Sequence, residues 1–422
     1  MDARLIAAAI PFFFALIALE RFLTRKRADP TYALHDSIAD LSCGIGQQTL
    51  QVFFQASLFA LYASVWEKHR IGTVSPRSAL GWVGLMVGVD FAFYWFHRLS
   101  HRVNLLWAIH AVHHQSEEYN FAVALRQAWL EPIAIAPFHL PLALLGFPPE
   151  MFLAGYTLNT LYQFWPHSRG IGKLGPLEWA FNTASHHRVH HAVNPEYIDK
   201  NYSGMFILFD RLFGTFRQER AEPVYGTVKP LASFNPLWAQ ISGFRDIVSL
   251  CRSVPRIGHK LAAPFMPPEW RPAELGGPVE IPNVHRATQL RYDVATPRRV
   301  NRYVVGWFVV VTLATTLFIL AGAAPRDRLL VGAALLLMSL ATIAGLTEGR
   351  SWATPLELAR LALLVPSAHY LGRGTPYHAA AMWTASTLLL ASTIFFPRAR
   401  AGPTASGPHS TGGPDPAEIA RR

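Results

Sequence analysis

Residues 97–114 read His97-Arg-Leu-Ser-His101-Arg-Val-Asn-Leu-Leu-Trp-Ala-Ile-His110-Ala-Val-His113-His114. A third run, His186-His-Arg-Val-His-His191, repeats the last pattern, and together with His167 these runs hold ten of the chain's 18 histidines. Residues three and four apart share one face of a helix, so each run directs its imidazoles to a common point. A helix unbroken from His101 to His110 would turn the second run ~180° away from the first. We therefore expect the chain to bend at residues 102–104 and the histidines to bind more than one metal ion.

The predicted metal ligands fall into a stronger and a weaker set. The stronger set is His97, His101, His110, His113, His114, His187, His190 and His191. His167 is weaker because it lacks a paired run, and His186 is weaker because it points partly away from its neighbours. The zinc-hydrolase pattern His-Glu-x-x-His and Cys-x-x-Cys pairs are missing from the sequence, which argues against hydrolytic or structural zinc.

The composition indicates a membrane protein, because only 15% of the 422 residues are charged and the mean hydropathy is +0.20. We predict an all-α fold, a multi-span integral membrane helical bundle with a cytosol-facing, histidine-rich di-metal site. Each apolar segment is close to the ~20 residues that a bilayer requires. The nine predicted spans are residues 4–22, 41–66, 79–96, 128–147, 150–165, 303–324, 328–346, 353–371 and 377–396.

The basic cluster Arg25-Lys26-Arg27 follows the first apolar segment. This order predicts an anchor rather than a cleaved signal peptide. The positive-inside rule then places the cluster and all the histidine runs on the cytosolic side, in a bacterial inner membrane or the endoplasmic reticulum. The net charge of +11 fits a protein that lies against anionic headgroups, and we find no nucleic-acid-binding motif.

Five parts follow along the chain. We predict N-terminal spans (1–96), a histidine core (97–216), a cytosolic segment and linker (217–300), C-terminal spans (301–397) and a disordered tail (398–422). The proline- and glycine-rich residues 263–282 could cover the active site or only link two parts, and we favour the link. Two cysteines, Cys43 and Cys251, predict no disulfide framework.

Asp90 is an ionisable residue inside an apolar run, which is costly and by default indicates a functional role. It precedes His97 by two helical turns, so its carboxylate could accept a hydrogen bond from the distal nitrogen of a ligand histidine. The alternative is a buried pair with another span.

So many neutral imidazoles could serve a metal transporter, a lyase or an oxygenase. A transporter needs ligands through the depth of the membrane, whereas these runs cluster at one face, which favours a permanent cofactor site. Imidazole suits iron, zinc and copper alike. Two iron ions are the natural choice if the protein activates O2 to attack an unactivated C–H bond in a lipid tail.

Longer motifs surround the histidines. They are Phe93-Tyr-Trp-Phe-His97-Arg, His113-His114-Gln-Ser-Glu-Glu-Tyr-Asn120, Ala124-Leu-Arg-Gln127, Leu161-Tyr-Gln-Phe-Trp165, Ser185-His-His-Arg-Val-His-His191, Tyr197-Ile-Asp-Lys-Asn-Tyr202 and Asp210-Arg-Leu-Phe-Gly-Thr-Phe216. In these motifs the chain resembles the fatty acid hydroxylase superfamily of membrane di-iron enzymes, which includes sterol desaturases, and within it most resembles the alkylglycerol monooxygenases.

The resemblance implies O2-dependent oxidation of the carbon next to the ether oxygen of an alkylglycerol, giving a fatty aldehyde and glycerol. Near alternatives are a hydroxylase or desaturase of a fatty acyl, sterol or aminolipid chain, and the far alternative is a non-catalytic or transport protein. The resemblance also implies tetrahydrobiopterin as the electron donor.

Arg102 stands where the family carries a glutamate after the first histidine run. A carboxylate is a suitable partner for a pterin ring, because it accepts two hydrogen bonds at once. We therefore expect turnover with the pterin to be poor and a ferredoxin-like protein to be the better electron donor. Glu117 or Glu118 could supply the missing acceptor, although adjacent carboxylates are more often a solvated surface.

Overall fold

The computed structural model describes residues 3–27 and 31–396, and its regular structure there is helical. Its α-helices are α1 (Ala3–Thr24), α2 (Leu34–His69), α3 (Ala79–Arg102), α4 (Asn104–His114), α5 (Glu131–Leu144), α6 (Pro149–Tyr162), α7 (Ala184–His190), α8 (Leu208–Leu212), α9 (Pro236–Ser253), α10 (Ile257–Ala262), α11 (Arg298–Leu320), α12 (Arg326–Thr347), α13 (Ala353–Gly372) and α14 (His378–Phe395). The predicted all-α fold is confirmed. The predicted disordered tail, 398–422, lies outside the described residues.

Among the described residues, five helices are long and apolar enough to cross a membrane: α2, α3, α11, α12 and α14. Each of the nine predicted spans corresponds to a helix, but the prediction of nine full spans is not supported. Helices α5 and α6 contain 14 residues each, or ~21 Å at 1.5 Å per residue. This is shorter than the ~30 Å hydrocarbon core, so the predicted hairpin is a pair of short helices.

The chain bends where the histidine spacing requires it. Helix α3 ends at Arg102, Val103 adopts an extended conformation with φ −122° and ψ 116°, and α4 begins at Asn104. The change of direction turns the second histidine run back towards the first. The predicted bend is confirmed.

Helix α9 packs closely against α4 because Gly243 has no side chain. A Cβ added there would lie 2.6 Å from the Cα of Ala108. This contact brings residues 236–253 over the histidine-bearing helix, so that α9 forms part of the wall above the site.

The C-terminal helices pack against α2 through a buried apolar cluster that includes Ile38, Val304, Phe308 and Leu340. This bundle also buries an ion pair: Arg360 Nη2 lies 2.6 Å from Glu357 Oε1, and the hydroxyl of Tyr303 donates to the same carboxylate. Both cysteines are free, as expected.

Candidate metal centre

Nine of the ten predicted histidines come together as two buried groups. The first group is His97, His101, His110, His114 and His190, and the second is His113, His167, His187 and His191. Within each group the ligating atoms all lie within 4.8 Å of one another. The groups adjoin, since the rings of His114 and His191 stack with centroids 4.4 Å apart.

The spacing of the ring nitrogens fits a bound metal ion. In the first group His110 Nε2 lies 2.9 Å from His97 Nε2 and 3.2 Å from His114 Nε2. In the second group His167 Nε2 lies 3.0 Å from His187 Nε2 and 3.2 Å from His113 Nε2. A metal with nitrogen ligands at ~2.0–2.1 Å holds neighbouring ligand nitrogens roughly 3 Å apart.

Two ring nitrogens provide a second test of that fit. Among the residues that the structure describes, His101 Nε2 and His190 Nε2 are buried without a hydrogen-bond partner. Buried polar atoms are nearly always paired, so these nitrogens require a ligand. An ion in the first group would supply it.

Backbone carbonyls orient four of the rings. The Nδ1–H groups of His97, His113, His167 and His190 donate to the carbonyls of Tyr202 (2.6 Å), Arg126 (3.0 Å), Gln163 (2.9 Å) and Lys200 (3.0 Å), respectively. Because a carbonyl oxygen only accepts, Nδ1 must carry the proton and Nε2 has a free lone pair. This is the usual arrangement for histidine ligands of a metal.

Burial also holds the rings in the form that binds metal. It lowers the pKa of His190 to about 3 and the pKa of His113 to about 4. Because the charged imidazolium is disfavoured away from water, both rings are neutral at pH 7.

His186 lies outside both groups. Its Nδ1 accepts from the backbone N–H of Thr183 at the start of α7, and its ring packs against Phe216. Adjacent residues on a helix point ~100° apart, so the backbone that aims His187 into the second group turns His186 away. The structure therefore does not support His186 as a ligand.

Asp90 is fully buried, and its hydrogen bonds go to a loop and to helix α6 instead of a histidine. It accepts from the backbone N–H groups of Met205 (2.6 Å) and Phe206 (2.8 Å), and from the side-chain amide of Asn159 (2.8 Å). The same loop begins at Tyr202, whose carbonyl accepts from His97. The structure does not show the predicted direct contact with a histidine: the loop links Asp90 to His97, and the contact with Asn159 is the buried pair with another predicted span that was the alternative.

Asp199 holds the place beside a ligand histidine that we expected for Asp90. Its carboxylate lies 3.8 Å from His101 Nδ1 and 2.5 Å from Arg102 Nη1. The residue has a φ of 59°, in the left-handed region that non-glycine residues rarely adopt. The sequence signal was the motif Tyr197–Tyr202, which contains it. Glu131, the first residue of α5, lies similarly 3.8 Å from His110 Nδ1.

The two carboxylates expected to meet a pterin have other partners. Glu118 is buried and forms ion pairs with Arg286, at 3.4 Å, and with Arg291. Glu117 accepts from the backbone N–H of Tyr292 at 2.5 Å. Their contacts join the loop after α4 to residues 286–292, and do not support either as an acceptor for a pterin.

A cavity of about 640 Å³ leads to the histidines. Its inner end is lined by His101, His114, His190 and His191; its walls include Trp107, Trp238, Leu250 and Ile281; and its charged residues include Arg102, Asp199, Glu269 and Arg271. Residues 268–281 form part of the wall, and Glu269 lies 3.3 Å from Arg102. The segment 263–282 therefore covers the site, the alternative that sequence reasoning did not favour.

Comparisons with known proteins agree with this geometry. The fatty acid hydroxylase family matches residues 82–215, which contain both histidine groups. Alkylglycerol monooxygenase of Homo sapiens is 35% identical over 356 residues, covering 83% of this chain and 80% of that protein. Alkylglycerol monooxygenase of Xenopus tropicalis is 34% identical over 374 residues, covering 87% and 83%. Ornithine lipid hydroxylase OlsE of Rhizobium tropici is 31% identical over 135 residues, covering 32% and 40%.

No solved structure matches the chain significantly. The similarity to the two alkylglycerol monooxygenases continues well beyond the histidine core, since more than 350 residues align in each case. The two histidine groups and this similarity over more than four fifths of the chain lead to one conclusion: the chain belongs to the alkylglycerol monooxygenase family of the fatty acid hydroxylases and is a membrane lipid monooxygenase.

Proposed function

We propose that the protein cleaves alkylglycerols. One oxygen atom of O2 is inserted into a C–H bond next to the ether oxygen, and the other leaves as water with two electrons from a reductant and two protons. The resulting hemiacetal breaks into a fatty aldehyde and glycerol. The observation that carries the proposal is the cavity, which brings apolar side chains and a few charged ones together beside two adjacent histidine groups.

We propose iron as the metal, with one ion in each histidine group. Bound iron would supply the activation of O2 and the oxidation of the C–H bond, chemistry that side chains alone do not provide. The protein's part is to hold nine neutral imidazoles in place and to present the substrate carbon to them.

The cavity suits a lipid with a small polar head. Trp107, Trp238 and Leu250 provide apolar contacts for an alkyl chain. Asp199 and Glu269 can accept hydrogen bonds from the glycerol hydroxyls, and Arg102, which contacts both carboxylates, can donate to them. These contacts would fix the ether carbon near the inner end of the cavity.

Tetrahydrobiopterin is a poor reductant in this proposal, and a ferredoxin-like protein serves better. The support is that Arg102, which only donates hydrogen bonds and carries a fixed positive charge, follows the first histidine run, and that Glu118 is already paired with Arg286 and Arg291. Strong, saturable turnover with the pterin as the sole reductant would contradict this.

The histidine groups are proposed to face the cytosol, on the strength of the basic residues at 25–27 after the first helix. Ala221, which is exposed on the histidine side, offers a test. An Ala221→Cys variant in a Cys251→Ser background should react with a membrane-impermeant thiol reagent only from the cytosolic side. Labelling only from the outer side would reverse the orientation.

The reaction is tested by lipidomics of membranes that contain the active protein or a His187→Ala variant, supplied with an alkylglycerol and ¹⁸O2. The expected result is loss of the alkylglycerol and appearance of the labelled fatty aldehyde in the active sample alone. A hydroxylated fatty acyl, sterol or aminolipid product without aldehyde would favour the alternative substrates.

A further inference from the structure

An apolar stripe runs along α10 and the turn after it. Ile257, Leu261 and Phe265 are 71%, 68% and 67% exposed. The backbone N–H of Met266 donates to the carbonyl of Ala262 at 3.1 Å, so the helical turn continues past Phe265. Residues four apart share a helix face, so these three side chains form one continuous surface, here called the apolar stripe. Contiguous exposed apolar surface indicates an interaction site.

The stripe lies beside the end of a candidate membrane span. Helix α3 ends at Arg102, and just beyond it the backbone N–H groups of Asn104 and Leu105 donate to the carbonyls of Met266 (2.9 Å) and Pro264 (2.8 Å). Helix α3 has 24 residues, or ~36 Å, and so extends past the ~30 Å hydrocarbon core. The residues bonded to its end therefore lie at the level of the headgroups.

The charges around the stripe match an anionic lipid surface. Arg252, Arg256 and Lys260 alternate with the apolar residues along the same stretch of sequence. The acidic residues nearby are paired: Glu274 lies 2.7 Å from His259 and 3.9 Å from Arg256, and Glu269 lies 3.3 Å from Arg102. Apolar side chains bordered by basic ones are typical of elements that lie in the bilayer interface.

The stripe is rigidly connected to the wall of the cavity. Behind it, Ala263 is buried with Leu250 and Val254 in a small apolar cluster, against which Trp270 packs. The cavity-lining residues Pro268 and Glu269 follow directly in sequence. The stripe and this part of the cavity wall therefore belong to one packed segment.

We propose that the apolar stripe inserts into the headgroup region of an anionic bilayer and holds the adjoining cavity wall, at Pro268 and Glu269, at the lipid surface. A lipid substrate then enters the cavity from the bilayer without crossing water. The bilayer contact is independent of the reaction, whereas the entry route rests on the proposed function.

Fluorescence of an environment-sensitive label tests the contact. Single cysteines replace Ile257, Leu261, Phe265 or Gly258 in a Cys251→Ser background, where the remaining Cys43 is buried. The labelled full-length protein is reconstituted into phosphatidylcholine vesicles with and without phosphatidylglycerol, and emission is measured with and without doxyl-labelled lipid.

At positions 257, 261 and 265 we expect blue-shifted emission that doxyl lipids quench, more strongly with phosphatidylglycerol present. Gly258 is exposed and lies ~100° around the helix from Ile257, so a label there should remain water-like. Water-like emission at all four positions would overturn the proposal, and is the result expected if a protein partner covers the stripe instead.

Activity tests the entry route. In a Leu261→Asp, Phe265→Asp variant we expect kcat/KM for a long-chain substrate in vesicles to fall about tenfold. The value for a short-chain, water-soluble substrate should not change. Leu290→Asp is the control, because Leu290 is 95% exposed outside the stripe. Equal losses for both substrates would contradict the entry route. If the wild type turns over neither substrate, the proposed function fails while the fluorescence result still decides the contact.

Discussion

Replacing Asp90 with asparagine should loosen the loop that orients His97. The carboxylate accepts three hydrogen bonds: Oδ1 from Met205 N–H and the Asn159 amide, and Oδ2 from Phe206 N–H. An asparagine whose oxygen keeps the first two bonds must turn its NH2 group towards Phe206 N–H, placing donor against donor. An unsatisfied buried donor costs ~1–3 kcal/mol, and the remaining two bonds lose the strengthening of a charged acceptor. We therefore expect a destabilisation of about 2–3 kcal/mol.

The effect on the metal should follow from the shift of Tyr202, whose carbonyl lies 2.6 Å from His97 Nδ1. Removing a group that orients a metal ligand without binding the metal itself typically lowers metal affinity or activity ~10–100-fold. The assays are iron content after dialysis against a chelator and thermal unfolding in detergent. Glu357→Gln is the matched control, because it removes a buried carboxylate from the C-terminal bundle: it should lower the unfolding temperature and leave the iron content unchanged. Wild-type iron content and stability in the Asp90→Asn protein would refute the reasoning.

Three further predictions concern the same site. Asp199→Asn should reduce iron affinity or turnover ~10–100-fold and alter the spectrum of the bound iron. Asp246→Asn is the control, because Asp246 lines the same cavity but pairs with Lys229, and it should change neither property. The same effect in both variants would count against a role for Asp199. His187→Ala should lower the iron content by at least one ion per protein, because the second group loses a ligand and shares α4 and α7 with the first, whereas His186→Ala should retain both ions; the reverse pattern would invalidate the two-group assignment. Burial lowers the pKa of His190 to about 3, whereas the histidine pKa in an unfolded chain is ~6.5. Because the unfolded state binds the proton first, the metal-free protein should lose stability as the pH falls from ~6.5 towards 3. An unfolding temperature that rises on acidification would contradict this.

The histidine ligands were predictable because helix periodicity is local. The spacing within each run, and the rotation between His101 and His110, located the bend and the shared faces without knowledge of the tertiary fold. His167 was uncertain because its partners come from distant segments, and only their packing brings it within 3.2 Å of His113. His186 is the opposite case: it belongs to a run of histidines, but the run does not reveal which of its members points away from the two histidine groups.

Other roles depended on backbone geometry that the sequence pattern does not contain. Asp90 was predicted to be functional from its apolar surroundings, yet its partners are the side chain of Asn159 and two backbone N–H groups of a loop more than 100 residues away. Asp199 lies beside His101 because its own backbone has a positive φ, a conformation that no local sequence pattern predicted. Hydropathy measures apolar content and does not show that α5 and α6 end after 14 residues, so two of the nine predicted spans are short helices.

Helices α4 and α7 each contribute to both histidine groups. Helix α4 provides His110 and His114 to the first group and His113 to the second, while α7 provides His190 and His187 to the first and second, respectively. Neither ion therefore has a scaffold of its own, and binding the first ion orders most of the ligands of the second. We expect metal uptake to be cooperative, with little of a species that holds a single ion. A one-residue insertion in either helix would rotate the ligands beyond it by ~100° and disrupt both ions together.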